Sequence, residues 1–167
     1  MTTTRVAERA GVSVGSLYQY FSSKDALLQA LLERKLGSIA AALERAARES
    51  AGLPLQPRVR RLMQALLAVK AENAELGAEL ARQAPRLEKQ GSMQKMTASA
   101  RALVRALLEA HEHEIACDDI ELASFMVVHA VSGVVDAAVL GESPLRYDDP
   151  DLLERLTALC LHLVGAL

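Results

Sequence analysis

The stretch TRVAERAGVSVGSLYQYFSSK, running from Thr4 to Lys24, decides the fold. Val6, Ala7 and Ala10 mark one apolar face of a short first helix, and Gly11 stops it. Val12 tucks back before Ser13 caps a second helix, whose inward positions Leu17 and Phe21 lie one turn apart. The other positions of that helix, Val14, Gly15, Ser16, Tyr18, Gln19 and Tyr20, are small or polar-tipped and free to meet a partner. Tyr18, Tyr20 and Phe21 are three of the chain's few aromatic residues, and only Phe21 reads as core. Two short helices around a tight turn form a helix-turn-helix, the element that lays its second helix in DNA's major groove.

The same offsets carry a family resemblance. The turn glycine Gly11, the cap Ser13, the aromatics Tyr18, Tyr20 and Phe21, and Lys24 followed by Leu27 resemble the signature of the tetracycline-repressor (TetR) family of bacterial transcription regulators. The close resemblance covers about Thr2 to Leu36, and the remainder is similar only in its helical layout and length. It implies a helix-turn-helix DNA-binding region at 1–36 and a helical regulatory and dimerisation domain at 37–167. It also implies that Thr3, Thr4, Tyr18, Tyr20 and Lys24 hold the DNA backbone, while Gly15 lets the helix approach the groove wall. Ser16 and Gln19 would then read base edges and Val14 would meet a thymine methyl. Arg5 has three open readings: a base edge, a phosphate or solvent.

Members of that family carry a helix ahead of this motif, whereas here Met1 stands immediately before it. The expectation is a head lacking its first helix, with Leu17, Phe21 and Leu28 exposed unless another element covers them. The alternative reading is therefore a helical ligand-binding or interaction dimer whose head no longer binds DNA.

Composition fits an all-α chain. Of 167 residues, 51% are hydrophobic, enough for a buried core, and the net charge of -2 gives no overall nucleic-acid signature. Its distribution says more, because Arg5, Arg9 and Lys24 face only Glu8 within the first 24 residues. Cys117 and Cys160 lack CxxC spacing, so neither a disulfide framework nor a thiolate metal site is indicated, which fits a cytoplasmic protein. The most apolar stretch, Leu122 to Leu140, is interrupted by His129, Ser132 and Asp136, and reads as a buried helix rather than a membrane span.

Beyond the motif, Ser22 with Asp25 signals the start of a long amphipathic helix to about Ser50. Gly52, Pro54 and Pro57 break the chain. The stripe Leu62, Leu66, Val69, Asn73, Leu76 and Leu80 then predicts one helix from Pro57 to about Ala84, delimited by Pro85. Further helices are predicted from Ser92 to His113, from Asp118 or Asp119 to Leu140, and from Asp149 to the C-terminus, with Pro150 at its first position.

The last two helices supply a pairing surface: Ala130, Gly133 and Ala137 permit close approach, and Leu153, Leu156, Leu163 and Val164 widen the apolar arc. The alternative is that the same residues form the core of a single protomer, but so wide an apolar arc on the terminal helices favours a dimer. By resemblance the partners are a palindromic or near-palindromic double-stranded operator, a small-molecule effector and a second copy of the chain. Candidate effector-pocket walls are Met63, Leu66, Leu67, Met93, Met96, Leu103, Phe125 and Met126, with methionines adapting to an apolar ligand. Asn73, His129 and Asp136 each interrupt an apolar stripe and would serve either a ligand or neighbouring helices. No cofactor is implied. His111 and His113 point apart on a helix, so His111 to Glu114 read as a solvated helix end, and no nucleophile–base pair suggests an enzyme.

Overall fold

A computed structural model describes residues 3–87 and 91–166; Met1, Thr2, positions 88–90 and Leu167, including Thr2 at the edge of the resembling stretch, lie outside the described residues. Among the described residues the regular structure is entirely helical. The order is α1 (Thr3–Ala10), α2 (Val14–Tyr20), α3 (Lys24–Glu49), α4 (Leu55–Ala71), α5 (Ala74–Leu87), α6 (Ser92–Glu109), a 3-10 turn (Glu112–Glu114), α7 (Ile120–Leu140) and α8 (Pro150–Leu163).

Local chemistry explains most boundaries. The Ser13, Asp119 and Asp149 side chains each accept a backbone N–H from the first turn of α2, α7 and α8. Gly141 ends α7 in the left-handed conformation. The long helix α3 is capped by Ser23, whose hydroxyl accepts from the N–H of Ala26 at 3.1 Å, and not by Ser22.

Three spans differ from the sequence reading. The single helix expected from Pro57 to Ala84 is broken into α4 and α5 at Asn73, which has a positive φ of 52° that no α-helix accommodates. Pro85 does not end α5 but sits in its last turn. The helix expected to reach His113 stops at Glu109, where Ala110 and the following turn carry the chain away.

The main core joins α3, α4, α6, α7 and α8 around Leu55, Leu66, Leu108, Val135, Leu152 and Leu156. Each fully buried leucine of this kind contributes about 1.5–3 kcal/mol relative to exposure. A second cluster packs Leu28 and Leu32 of α3 on Leu80, Ala84 and Leu87 of α5. A third, small cluster holds the head together: Ala7, Leu17 and Leu27, flanked by Val6, Phe21 and Leu31. Leu17 and Leu28 are thus buried and Phe21 half-buried: other elements cover the residues that a missing first helix would otherwise leave exposed. The physical reason is that α3 closes under the head while α5 covers Leu28 from the other side. Because α3 runs unbroken through position 36, the head and the body share one rigid helix.

Helix α7 alone among the described residues is long and apolar enough to cross a membrane by length and composition. It packs against α6, α8 and α5 and contributes Val127, Val131 and Val135 to the main core.

Candidate functional site

The head is built by a tight reversal. Gly11, at φ +68°, lets the chain leave α1 while its N–H bonds the Glu8 carbonyl and the Val12 N–H bonds the Ala7 carbonyl at 3.0 Å. Val12 does not tuck back; its side chain is 45% exposed, and the backbone bond rather than apolar contact holds the turn. Leu17 anchors α2 on Ala7 and Leu27. One helical period then forces Val14, Gly15, Tyr18 and Gln19 outward, and all four are exposed, as are Thr4, Arg5 and Lys24. Tyr20 is 84% exposed, far from what burial would select for so large an aromatic.

Two hydroxyls of this face are engaged within the head. Tyr18 Oη lies 3.4 Å from Thr3 Oγ1, tying α2 to α1. Ser16 is half-buried, and its hydroxyl lies 2.9 Å from Ser13 Oγ, beside the cap of α2. Gln19 has the outward position without such an engagement among the hydrogen bonds described. At Gly15 an added Cβ would meet only Ser13 Oγ at 3.6 Å, an ordinary contact. Internal packing does not demand glycine there. Lys24 opens α3 beside Asp25, which pairs with Arg86 of α5 at 2.8 Å and fastens the base of the head to the body.

The body contains a cavity of about 380 Å³ lined by α3, α4, α5, α6 and α7. Of the residues expected to form an effector pocket, Leu66, Met93, Met96, His129 and Asp136 line it. Met63 and Leu67 are buried in the main core and Leu103 packs against it, none of them at the cavity wall. Asn73 lies exposed in the α4–α5 turn, away from the cavity, because its backbone breaks the helix that would have carried it inward. Phe125 and Met126 are exposed on the outer face of α7, one helical face away from Val128, Ser132 and Val135 that face the cavity. There Phe125 packs on His129, with ring centroids 4.3 Å apart, beneath the Arg101 guanidinium.

The sequence reading missed two cations at the cavity. Lys70 Nζ donates to Asp136 Oδ1 at 2.8 Å, and Lys35 Nζ donates to the carbonyls of Val69 and Glu72, the latter at 2.8 Å. Burial holds the Lys35 ammonium below the usual lysine range; Glu72 opposes that shift and Lys70 adds to it. A signal was available for Lys70, which interrupts the apolar run at 66–69 as Asp136 interrupts its own; Lys35 follows Glu33 and Arg34 and carried no such mark.

The residues expected at a pairing surface divide between two environments. Leu156 and Val164 are 1% and 2% exposed and belong to the core of the protomer, so they are not available to a partner. Leu153 and Leu163 are half-buried and pack against that core, as do their neighbours on the inner side of α8. Gly133 is exposed, with Ala130 and Ala137 half-exposed on the same stripe of α7 as Leu122, Met126 and Val134. The outward apolar face is thus on α7 more than on α8. Among the described residues no group of three metal-ligating side chains comes together.

Comparison with known proteins agrees with this geometry. Residues 54–163 match the family described as tetracyclin repressor-like, C-terminal domain, and residues 1–31 match the bacterial regulatory proteins of the tetR family. A TetR-like transcriptional regulator from Rhodococcus sp. RHA1 is 28% identical, with a TM-score of 0.69 over 96% of this chain and 84% of that one. The TetR family transcriptional regulator PfmR from Thermus thermophilus shares the fold at 20% identity, with a TM-score of 0.71 over 99% of this chain and 88% of that one. No curated protein sequence matches the chain significantly.

Proposed function

We propose how this chain, which belongs to the tetracycline-repressor family of bacterial DNA-binding transcription regulators and is not an enzyme, carries out its role. It acts in the cytoplasm as a homodimeric repressor, each head placing α2 in a major groove of a palindromic or near-palindromic operator. The observation that carries this reading is the outward face of α2, where Val14, Gly15, Tyr18, Gln19 and Tyr20 are exposed while Leu17 is locked inward. Thr3, Thr4, Tyr18, Tyr20 and Lys24 supply phosphate contacts, Gly15 a close approach, and Gln19 the principal base contact. Val14 meets a thymine methyl, and Arg5 reinforces the positive rim.

Two copies pair through the outer face of α7, which sets the heads about one turn of DNA apart. An effector entering the cavity releases the operator. The coupling is mechanical: Leu32, Lys35, Leu36 and Ile39 of α3 form part of the cavity wall, and the same helix begins at Lys24 under the head. Lys35 stands about 16 Å along the helix from Lys24 at the usual rise, so a tilt at the wall is carried to the head. Effector and operator then favour different head spacings.

Salt-dependent binding to the DNA upstream of its own gene, against scrambled DNA, tests the reading. Lys24→Ala should weaken binding to both and reduce the salt slope by about 1, while Gln19→Ala should cost about 1–3 kcal/mol of operator preference. Equal affinity for operator and scrambled DNA at every salt concentration, or no binding, would overturn it.

A further inference from the structure

The cavity wall is aliphatic over most of its area. Leucine, isoleucine, valine, alanine and methionine line it, and no phenylalanine or tyrosine does, so a planar aromatic guest would find no ring to stack on except His129. Its charge is lopsided. Among the described lining residues, two ammonium groups, Lys35 and Lys70, meet one carboxylate, Asp136. The α4 carbonyls that Lys35 holds offset only about half a unit of charge. Lys70 repels Lys35 across this wall; the attraction of Glu72 on Lys35 is the larger of the two, but Glu72 is exposed and not part of the lining. A cationic guest would have to take Asp136 from Lys70 and leave that ammonium unpaired. An anionic guest instead finds two ammonium groups on the lining.

We propose that the cavity takes an aliphatic molecule ending in a carboxylate, with its tail along α3, α5 and α7 and its head held by Lys70 and Lys35 in competition with Asp136. This rests on the reading of the cavity as the effector site. The head takes the position of Asp136 as the partner of Lys70, so binding replaces the α4–α7 ion pair with contacts to the guest. Lys35 lies on α3, the helix that carries the head of the protein, which places the guest's charge directly on the element that must move.

Calorimetric titration of the full chain with dodecanoate, dodecanol and dodecyltrimethylammonium, each below its micelle concentration, tests the assignment. Dodecanoate should bind about tenfold or more tighter than dodecanol, as expected for a charge-assisted contact. Lys70→Gln should shrink that difference, and an unchanged difference would remove Lys70 from the assignment. Asp136→Asn should raise the affinity for dodecanoate and leave dodecanol unchanged, which a purely structural role for Asp136 would not produce. If dodecanol or the ammonium compound binds as tightly as dodecanoate, the carboxylate assignment is overturned while the cavity remains an effector site. If Asp136→Asn weakens dodecanoate binding, the competition is overturned. Failure of all three compounds to bind would overturn the effector reading itself along with the proposal.

Discussion

The Glu114 carboxylate accepts the backbone N–H of Leu55 at 3.0 Å, so α4 is capped by a residue 59 positions further along the chain. Pro54, at the N-cap position, offers no side-chain acceptor. His111 secures the same junction: its Nδ1 lies 2.8 Å from the Leu107 carbonyl and its Nε2 3.2 Å from the Leu53 carbonyl, within a buried site. These residues are therefore not a solvated helix end. The corresponding prediction is that Glu114→Ala lowers unfolding free energy by about 1 kcal/mol, the usual worth of a cap, and Glu114→Gln by less. Urea denaturation of the two variants measures it, and an unchanged midpoint for Glu114→Ala would remove the capping role.

Asn73 tolerates its positive φ of 52° at some cost, which asparagine bears better than most residues. Asn73→Ala should destabilise the protein by about 1 kcal/mol, while Asn73→Gly should be neutral or slightly stabilising. Equal effects of the two substitutions in thermal unfolding would contradict the backbone account of the α4–α5 break.

Pairing through α7 predicts a separation between assembly and stability. Nothing lies within 4 Å of a Cβ built on Gly133, so Gly133→Leu fits within one protomer and should leave its unfolding nearly unchanged. It should weaken the dimer in sedimentation equilibrium, by obstructing close approach of two α7 helices. Leu156→Ala should do the reverse, costing about 2–5 kcal/mol of fold stability through the cavity it leaves. A dimer unaffected by Gly133→Leu would place the interface elsewhere.

Burial pushes the Cys160 thiol up to about 12. The folded value lies above the ordinary 9.0, so the neutral thiol's contribution to stability is complete below about pH 9 and is lost as pH rises toward the folded value. Two outcomes follow. At neutral pH iodoacetamide should modify the half-exposed Cys117 well before Cys160, and Cys160→Val should flatten the loss of stability between pH 9 and 12. Mass spectrometry after timed labelling and alkaline melting curves provide the two readouts, and labelling of both cysteines at equal rates in the folded protein would refute the burial argument.

What the sequence determined by itself is local in origin. The α1–turn–α2 reversal, the caps at Ser13, Asp119 and Asp149, and the stops at Gly11 and Gly141 depend on residues within a turn or two of one another, so spacing alone reveals them. Helical periodicity also marked Leu17 as inward and Tyr18, Gln19 and Tyr20 as outward, because neighbours on one helix share a fixed geometry. Tertiary structure decided everything that joins distant segments. It assigned Leu156 and Val164 to the protomer core, turned Phe125 and Met126 to the surface, and brought Lys35, Lys70 and Asp136 to one cavity. An apolar stripe states that a helix face is buried but not which helix buries it, and a lone polar residue within that stripe gains its meaning only from the partner that folding places opposite.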